Sequence, residues 1–264
     1  MEMHFHKYQG TGNDFIMVDN RASFQINPGD EALIALLCDR RFGIGGDGLI
    51  LLESSDNADF KMIYFNSDGR QGSMCGNGGR CIVAFAYALG FIKSETIFDA
   101  IDGLHRGKVL PDGKVSIQMS DVNNISVIDD LKYELDTGSP HFVHFIDNLP
   151  ADIKKDGAAV RYNDRYKAIG INVNFVVVTG NVTLEIATYE RGVEDETYSC
   201  GTGVTAAALS YSHIKGFFGE KTIFLSVKGG NLEVSFNRIG NHEFTNIWLT
   251  GPAQKVFEGT YEIF

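Results

Sequence analysis

Little in this chain marks it for export, for a membrane or for nucleic acid. The opening residues Met1-Glu2-Met3-His4-Phe5-His6-Lys7 contain no uninterrupted apolar run, so no secretory leader is expected. No stretch approaches the length that spans a bilayer. Basic residues are in the minority. The 23 Lys and Arg against 34 Asp and Glu leave a formal charge of −11, which argues against a nucleic-acid or anionic-membrane partner. Cysteine is scarce as well. Cys38, Cys75, Cys81 and Cys200 form no Cys-x-x-Cys pair and no zinc-ligand pattern, so no metal site is expected and the thiols are expected to be reduced. No Pro/Ser-rich or low-complexity segment separates the halves of the 264-residue chain. The expectation is a cytoplasmic enzyme of one large domain or two ordinary ones.

What is present is a repeated motif. Met74-Cys75-Gly76-Asn77-Gly78 and Ser199-Cys200-Gly201-Thr202-Gly203 each set a cysteine and a Gly-x-Gly turn before an apolar helical run. Residues 82–89 carry no charge, so this helix is expected to be buried on every side, inside a sheet wrapped about it. Around the two motifs the order of elements repeats. Strands are expected at 5–8, 15–19, 49–52 and 60–65, with a helix from Asp30 to Arg41 and a turn at Asn66-Ser67-Asp68-Gly69. A second set follows, with strands at 140–143, 172–178 and 183–188 and a helix over 150–161. After the second motif come strands near 221–227, 232–236 and 246–249. Laying Cys75 on Cys200 puts Tyr64 on Tyr189 and Asn66 on Arg191. One further residue of shift sets Gly12-Asn13-Asp14-Phe15 against Gly138-Ser139-Pro140-His141. The polar stretch from Asp121 to Asp129 is the expected boundary between the halves. Strands and helices do not alternate regularly, which disfavours a doubly wound parallel sheet.

A thiol at a helix N-terminus sits beside backbone N–H groups that lack intrahelical acceptors, at the positive end of the macrodipole, and both favour its thiolate. Taken singly, Cys75 or Cys200 is equally readable as a small buried hydrophobe, and Cys38 and Cys81 read as core. The matched pair points to chemistry. Two converging helix starts bind a carboxylate, and its α-carbon then lies between two sulfurs. One thiolate removes the α-proton while the opposite thiol delivers another, which inverts the centre. No Gly-Lys-Ser/Thr follows either Gly-x-Gly, and Gly43 to Gly48 lacks a strand-to-helix setting, so nucleotide binding is not expected. Tyr189-Glu190-Arg191-Gly192 reads as an ammonium and carboxylate grip or as a surface ion pair. Asn13, Asn66 and Asn172 read as binding groups or as turn residues, and His141 as a proton relay or a structural histidine.

Five segments together carry a family likeness. They are Gly10-Thr11-Gly12-Asn13-Asp14-Phe15, Phe65-Asn66-Ser67-Asp68-Gly69, Met74-Cys75-Gly76-Asn77-Gly78-Gly79-Arg80-Cys81, Gly170-Ile171-Asn172-Val173-Asn174-Phe175, and Tyr189-Glu190-Arg191-Gly192 with Ser199-Cys200-Gly201-Thr202-Gly203. The closing Leu249-Thr250-Gly251-Pro252-Ala253 and Val256-Phe257-Glu258-Gly259 extend it to nearly the whole chain. With these motifs the chain resembles the diaminopimelate epimerase family. The resemblance implies an α+β fold of two pseudo-symmetric domains. Each is a mixed, mostly antiparallel sheet wrapped around a central helix, with the active site in the cleft between them. Because the last strand returns to the first domain, residues 1–118 plus 251–264 would form one domain, carrying Cys75. Residues 119–250 would form the other, carrying Cys200.

The resemblance further implies a cofactor-independent isomerase that interconverts LL- and meso-2,6-diaminopimelate on the route to lysine and peptidoglycan. Cys75 and Cys200 would be its acid/base pair. The N–H groups of Gly76, Asn77, Gly201 and Thr202 would hold the reacting carboxylate, and Asn13 and Glu190 its ammonium. Asn66, Asn172 and Arg191 would grip the distal end. His141 and Glu190 would support Cys75 and Cys200 respectively. The partners implied are a small amino-acid substrate and a second copy of the chain in a homodimer. One departure stands out: Ser139 occupies a position where many relatives carry asparagine, which predicts a looser distal grip or an intervening water. The competing readings are a proline or hydroxyproline racemase, which has less need of the distal set, a cysteine-nucleophile hydrolase, which leaves one cysteine idle, and a non-catalytic amino-acid binding protein.

Overall fold

The computed structural model describes residues 2–21 and 25–263; residues 1, 22–24 and 264 lie outside it. The chain divides into two compact units, Met1–Ile117 with Gly251–Phe264, and Gln118–Thr250.

The first unit begins with β1 (Glu2–Gly10) and β2 (Asn13–Asp19), joined by a two-residue turn. Thr11 and Gly12 there have φ of 54° and 85°. Two positive φ values in succession make the turn that matches the twist of a hairpin. Helix α1 (Glu31–Cys38) follows, then β3 (Gly48–Glu53), β4 (Phe60–Asn66) and helix α2 (Gly76–Ala88). Strands β5 (Glu95–Ala100), β6 (Gly103–Val109) and β7 (Val115–Gln118) complete the run.

The second unit repeats it with β8 (Ser126–Asp129), β9 (Lys132–Asp136), β10 (Pro140–Phe145), α3 (Ile153–Arg161), β11 (Asn172–Val178) and β12 (Thr183–Glu190). A short β13 (Asp195–Thr197), helix α4 (Gly201–Lys215), β14 (Gly219–Val227), β15 (Gly230–Arg238) and β16 (Phe244–Gly251) follow. The last strand, β17 (Gln254–Glu262), pairs with β1.

Strand order makes the duplication visible. In the first unit the order is β17-β1-β2-β3-β4-β5-β6-β7, antiparallel throughout except at β2–β3 and β4–β5. In the second it is β8-β9-β10-β11-β12-β14-β15-β16, antiparallel except at β10–β11 and β12–β14. The two parallel steps fall at the same places in both sheets, and a helix spans each, as a parallel crossover requires. Helices α2 and α4 are the central ones. Helix α2 contacts β1, β2, β3, β4, β6 and β17, while α4 contacts β9, β10, β11, β12, β14 and β15.

Outer helices α1 and α3 cover the opposite sheet faces. Ile34, Leu37 and Cys38 of α1 pack with Ile16, Val18, Leu49, Leu51 and Phe65. Ile153 of α3 packs with Phe142, Val173, Phe175 and Tyr189. Strands buried on both faces explain the unbroken apolar run Leu49-Ile50-Leu51-Leu52.

Three expectations are corrected. Helix α1 ends at Cys38 rather than Arg41, because the Asp39 carboxylate turns to accept from the N–H groups of Arg41 and Phe42. Residues 82–89 are not buried all round: Ile82, Val83, Phe85 and Ala86 are, but Tyr87 and Leu89 are 49% and 38% exposed at the C-terminal end. The polar stretch from Asp121 to Asp129 is not the boundary. It lies inside the second unit, where Val122 bridges Phe244 and β8 pairs with β9.

Candidate active site

Among the described residues the four helices begin in two different ways. Helices α1 and α3 are capped by Asp30 and Asp152, whose carboxylates accept from Leu33 N–H and Lys155 N–H at 3.0 and 2.9 Å. The central helices α2 and α4 are capped by Cys75 and Cys200, and neither side chain makes a capping hydrogen bond to a backbone N–H. The first intrahelical bonds are Gly79 N–H to Cys75 C=O at 2.7 Å and Val204 N–H to Cys200 C=O at 2.9 Å. Each central helix therefore presents a first turn of N–H groups and a sulfur at its positive end, a setting for an anion and a low-pKa thiol.

In the first unit the hairpin turn delivers Asn13 to Cys75. Asn13 Nδ2 donates to Asp47 Oδ2 at 2.5 Å, which turns its Oδ1 toward Cys75 Sγ at 3.8 Å and Asn77 Nδ2 at 3.4 Å. Asp47 is held in turn by Arg40, which also grips Asp14 at 2.6 Å. Lys7 lies 2.8 Å from the same Asp14 carboxylate, and these two cations hold its pKa well below the usual range.

Beneath the helix start lies Arg80, fully buried. Its guanidinium donates to Thr11 Oγ1 and Asn77 Oδ1 at 3.0 Å, and to the carbonyls of Gly76 and Pro252 at 3.4 Å. Among the described residues these acceptors are all neutral. A guanidinium does not deprotonate in a protein, so a whole positive charge stands one helical turn from Cys75 without a carboxylate on it. It reinforces the helix dipole. Cys81, by contrast, is buried and its thiol is pushed up to about 12, as is that of Cys38. Burial leaves both inert.

In the second unit Cys200 is 8% exposed and its Sγ lies 3.4 Å from Thr202 Oγ1. Thr202 Oγ1 is 2.8 Å from His141 Nε2. His141, on β10, is fully buried, and its pKa is lowered to about 3 by desolvation and then by the Arg191 charge. It is therefore neutral at physiological pH. Asn174 on β11 completes the line, with Nδ2 3.0 Å from His141 Nδ1. Gly203 lets the helix sit down on this pair, because a Cβ there would come within 2.4 Å of Asn174 Oδ1 and 3.3 Å of His141 Cε1.

A separate cluster gathers at the start of β11. Asn172 Nδ2 donates to Ser139 Oγ at 2.8 Å and to Pro140 C=O at 3.0 Å, while its Oδ1 accepts from Arg191 N–H at 2.9 Å. Ser139 is thus bonded directly to Asn172. The Arg191 guanidinium is exposed and reaches Ile169 C=O at 3.3 Å. Glu190 ends β12 beside it, and Asn66 ends β4 on an exposed turn. Within each unit, then, the structure joins Asn13, Cys75 and Asn77, joins His141, Thr202 and Cys200, and joins Asn172 with Ser139 and the Arg191 backbone. Asn66 stands alone. A cavity of about 430 Å³ in the second unit is lined by Asp121, Glu134, Asp136 and His141 among others, and its acidic wall does not suit a carboxylate.

Sequence reasoning passed over Asp47, the buried charge of Arg80, and Asn174. Asn174 was within reach. Two asparagines at i and i+2 in an otherwise apolar strand share one face, and polar groups on a face turned to a helix need a partner there.

Comparison with known proteins settles the family. The model of the family described as diaminopimelate epimerase matches residues 5–127 and again residues 133–256. A diaminopimelate epimerase of Flavobacterium psychrophilum is 55% identical over 260 residues, covering 98% of this chain and all of the relative. The chain belongs to the diaminopimelate epimerase family. As a member it is an isomerase. The diaminopimelate epimerase of Chlorobaculum tepidum is 41% identical over 95% of this chain and 98% of its own length. Solved structures share the epimerase fold at lower identity. A PhzF-family phenazine biosynthesis protein of Bacillus anthracis covers the full chain on both sides with a TM-score of 0.77 at 14% identity. A probable proline racemase of Agrobacterium radiobacter covers 99% of this chain and 93% of its own, with a TM-score of 0.70 at 16% identity. These likenesses show the architecture of two repeated domains. No helix among the described residues is long and apolar enough to cross a membrane.

Proposed function

We propose that the chain interconverts LL- and meso-2,6-diaminopimelate by two-base proton transfer, with Cys75 and Cys200 on opposite sides of one α-carbon. One observation carries this reading above the rest. The same strand pattern, repeated, presents a cysteine in place of a capping side chain at the start of each central helix. Helix starts of this kind favour an anion, and a substrate carboxylate on the N–H groups of Gly76, Asn77, Gly201 and Thr202 satisfies both at once.

Removing an α-proton pushes negative charge onto that carboxylate. Two helix dipoles, with the buried Arg80 beneath one of them, stabilise the charge as it develops. The thiolate of one cysteine takes the proton, and the thiol of the other gives its own to the opposite face. Asn13 and Glu190 receive the α-ammonium. Asn66, Asn172, Arg191 and Ser139 hold the distal amino acid, with Asn172 donating to Ser139 Oγ. His141 is a neutral polar group in this scheme, as its buried setting requires. No cofactor enters the scheme. The product serves lysine and peptidoglycan synthesis in the cytoplasm, and the active form is a homodimer.

Incubation with LL-diaminopimelate in deuterated water tests the reading. Deuterium is expected at Cα of the inverted product, with meso-diaminopimelate accumulating. Stereochemical conversion of proline under the same conditions, with none of diaminopimelate, would overturn it. Light scattering in solution tests the dimer.

A further inference from the structure

We infer that Asn174 is a positioning residue, which fixes His141 as its Nε2–H tautomer and through Thr202 turns a hydroxyl proton toward Cys200 Sγ. The inference rests on the proposed role of Cys200 in proton transfer. It adds a residue and a direction to that role.

The direction follows from donors and acceptors. The Asn174 amide lies between three groups. Its Nδ2 is 2.9 Å from Phe142 C=O, and a peptide carbonyl only accepts, so that atom is the amide nitrogen. Its Oδ1 accepts from Thr188 Oγ1 at 2.9 Å, which fits the same orientation. The second Nδ2 hydrogen then points at His141 Nδ1, 3.0 Å away, and Nδ1 has to be the bare, accepting nitrogen. A neutral imidazole with a bare Nδ1 carries its proton on Nε2. That proton is donated to Thr202 Oγ1 at 2.8 Å. With its oxygen accepting, the Thr202 hydroxyl is left to donate, and Cys200 Sγ at 3.4 Å receives it. A hydrogen bond donated to sulfur stabilises the thiolate over the thiol.

The line holds because the imidazole stays neutral. His141 is wholly buried, the Arg191 charge opposes a second cation, and Asn174 supplies a donor where a carboxylate would draw a proton onto Nδ1. Gly203 keeps α4 close enough for Thr202 to reach His141. Each bond lies within the second unit, so the polarity is built into that unit's own β10, β11 and α4.

The experiment has three readouts, none of which needs substrate. Isotope-edited NMR of histidine in the wild-type protein is expected to find His141 with Nε2 protonated and Nδ1 bare. The pH midpoint for alkylation of Cys200, followed by mass spectrometry of its peptide, is expected to rise by about one unit in Thr202→Val, the worth of one hydrogen bond to a charged group. Thr202→Ser, which keeps the hydroxyl, is expected to titrate like the wild type. Asn174→Leu removes the donor and is expected to show both tautomers at His141 and a raised Cys200 midpoint. Should that variant fail to fold, the wild-type spectrum and the Thr202 pair decide alone. An Nδ1–H tautomer in the wild type, or a Cys200 midpoint unmoved in folded Thr202→Val, would overturn the inference. Loss of α-proton exchange with these readouts intact would instead count against the proposed reaction.

Discussion

At the scale of single residues, the two cysteines differ in what surrounds them. Cys75 stands over a buried guanidinium, and Cys200 against a threonine hydroxyl backed by a neutral histidine. Replacing either with serine removes a thiol and leaves a hydroxyl that does not ionise near neutrality. Epimerisation in Cys75→Ser and in Cys200→Ser is expected to fall by about three orders of magnitude or more, measured as chiral product per unit time. Near-normal turnover in either would sink the two-base scheme. Arg80 makes a different prediction. Arg80→Gln keeps part of its hydrogen bonding and deletes the charge, so kcat/KM is expected to drop about tenfold to a hundredfold with the fold intact. Arg80→Lys is expected not to restore it, because a compact ammonium cannot reach Thr11, Asn77 and two carbonyls together.

At the scale of elements, the site depends on close approaches that glycine alone permits. Gly203→Ala would push a methyl into Asn174 Oδ1. The structure must then shift α4 off β11, at a cost of about 1–3 kcal/mol. Chemical denaturation measures that cost, and an unchanged midpoint would show that α4 does not rest on Asn174. The hairpin before Asn13 carries strain of another kind. Thr11 is β-branched yet holds a φ of 54°, an uncommon backbone state kept in place by Arg80, which bonds its hydroxyl.

Much at this scale was legible beforehand. The helix beginning at Asp30, the turn at Asn66-Ser67-Asp68-Gly69 and the Gly-x-Gly helix starts all follow from local rules. Helix α1 stopped early because a single side chain, Asp39, competed for the backbone. The exposed end of α2 escaped notice for a different reason. An apolar residue at a surface costs little, so hydrophobicity alone does not decide burial.

At the scale of the whole molecule, His141 ties stability to pH. Its folded pKa of about 3 lies below its ordinary 6.5, so the stability it confers is present above 6.5 and is lost as pH falls toward 3. By pH 5 the loss from this group is about 2 kcal/mol, and thermal unfolding across that range measures it. His141→Gln is expected to flatten the acid slope between pH 6.5 and 5; a slope as steep as the wild type would mean that other groups carry it. Asp14, held low by Lys7 and Arg40, acts in the same sense below the usual carboxylate range. Redox sensitivity follows from the proposed function. Two sulfurs flanking one α-carbon are expected to couple when a disulfide oxidant replaces the reductant, with activity lost and restored by thiol. Retained activity with both thiols titratable would argue against that proximity.

The sequence by itself carried the duplication, the paired cysteines and the family likeness, because each is written in residues close together along the chain. Matched Cys-Gly-x-Gly starts and repeated strand patterns need no distant contact to be read. The tertiary structure alone decided which asparagine faces which histidine, that Arg80 is buried against neutral acceptors, and that Asp47 aims Asn13 at Cys75. The contacts His141–Asn174, Asn13–Asp47 and Arg80–Thr11 join residues 33, 34 and 69 positions apart, and strand order and helix seating bring them together. Hydrogen-bond polarity at the second cysteine belongs wholly to that level. A donor and an acceptor look alike in a sequence until geometry shows what each one meets.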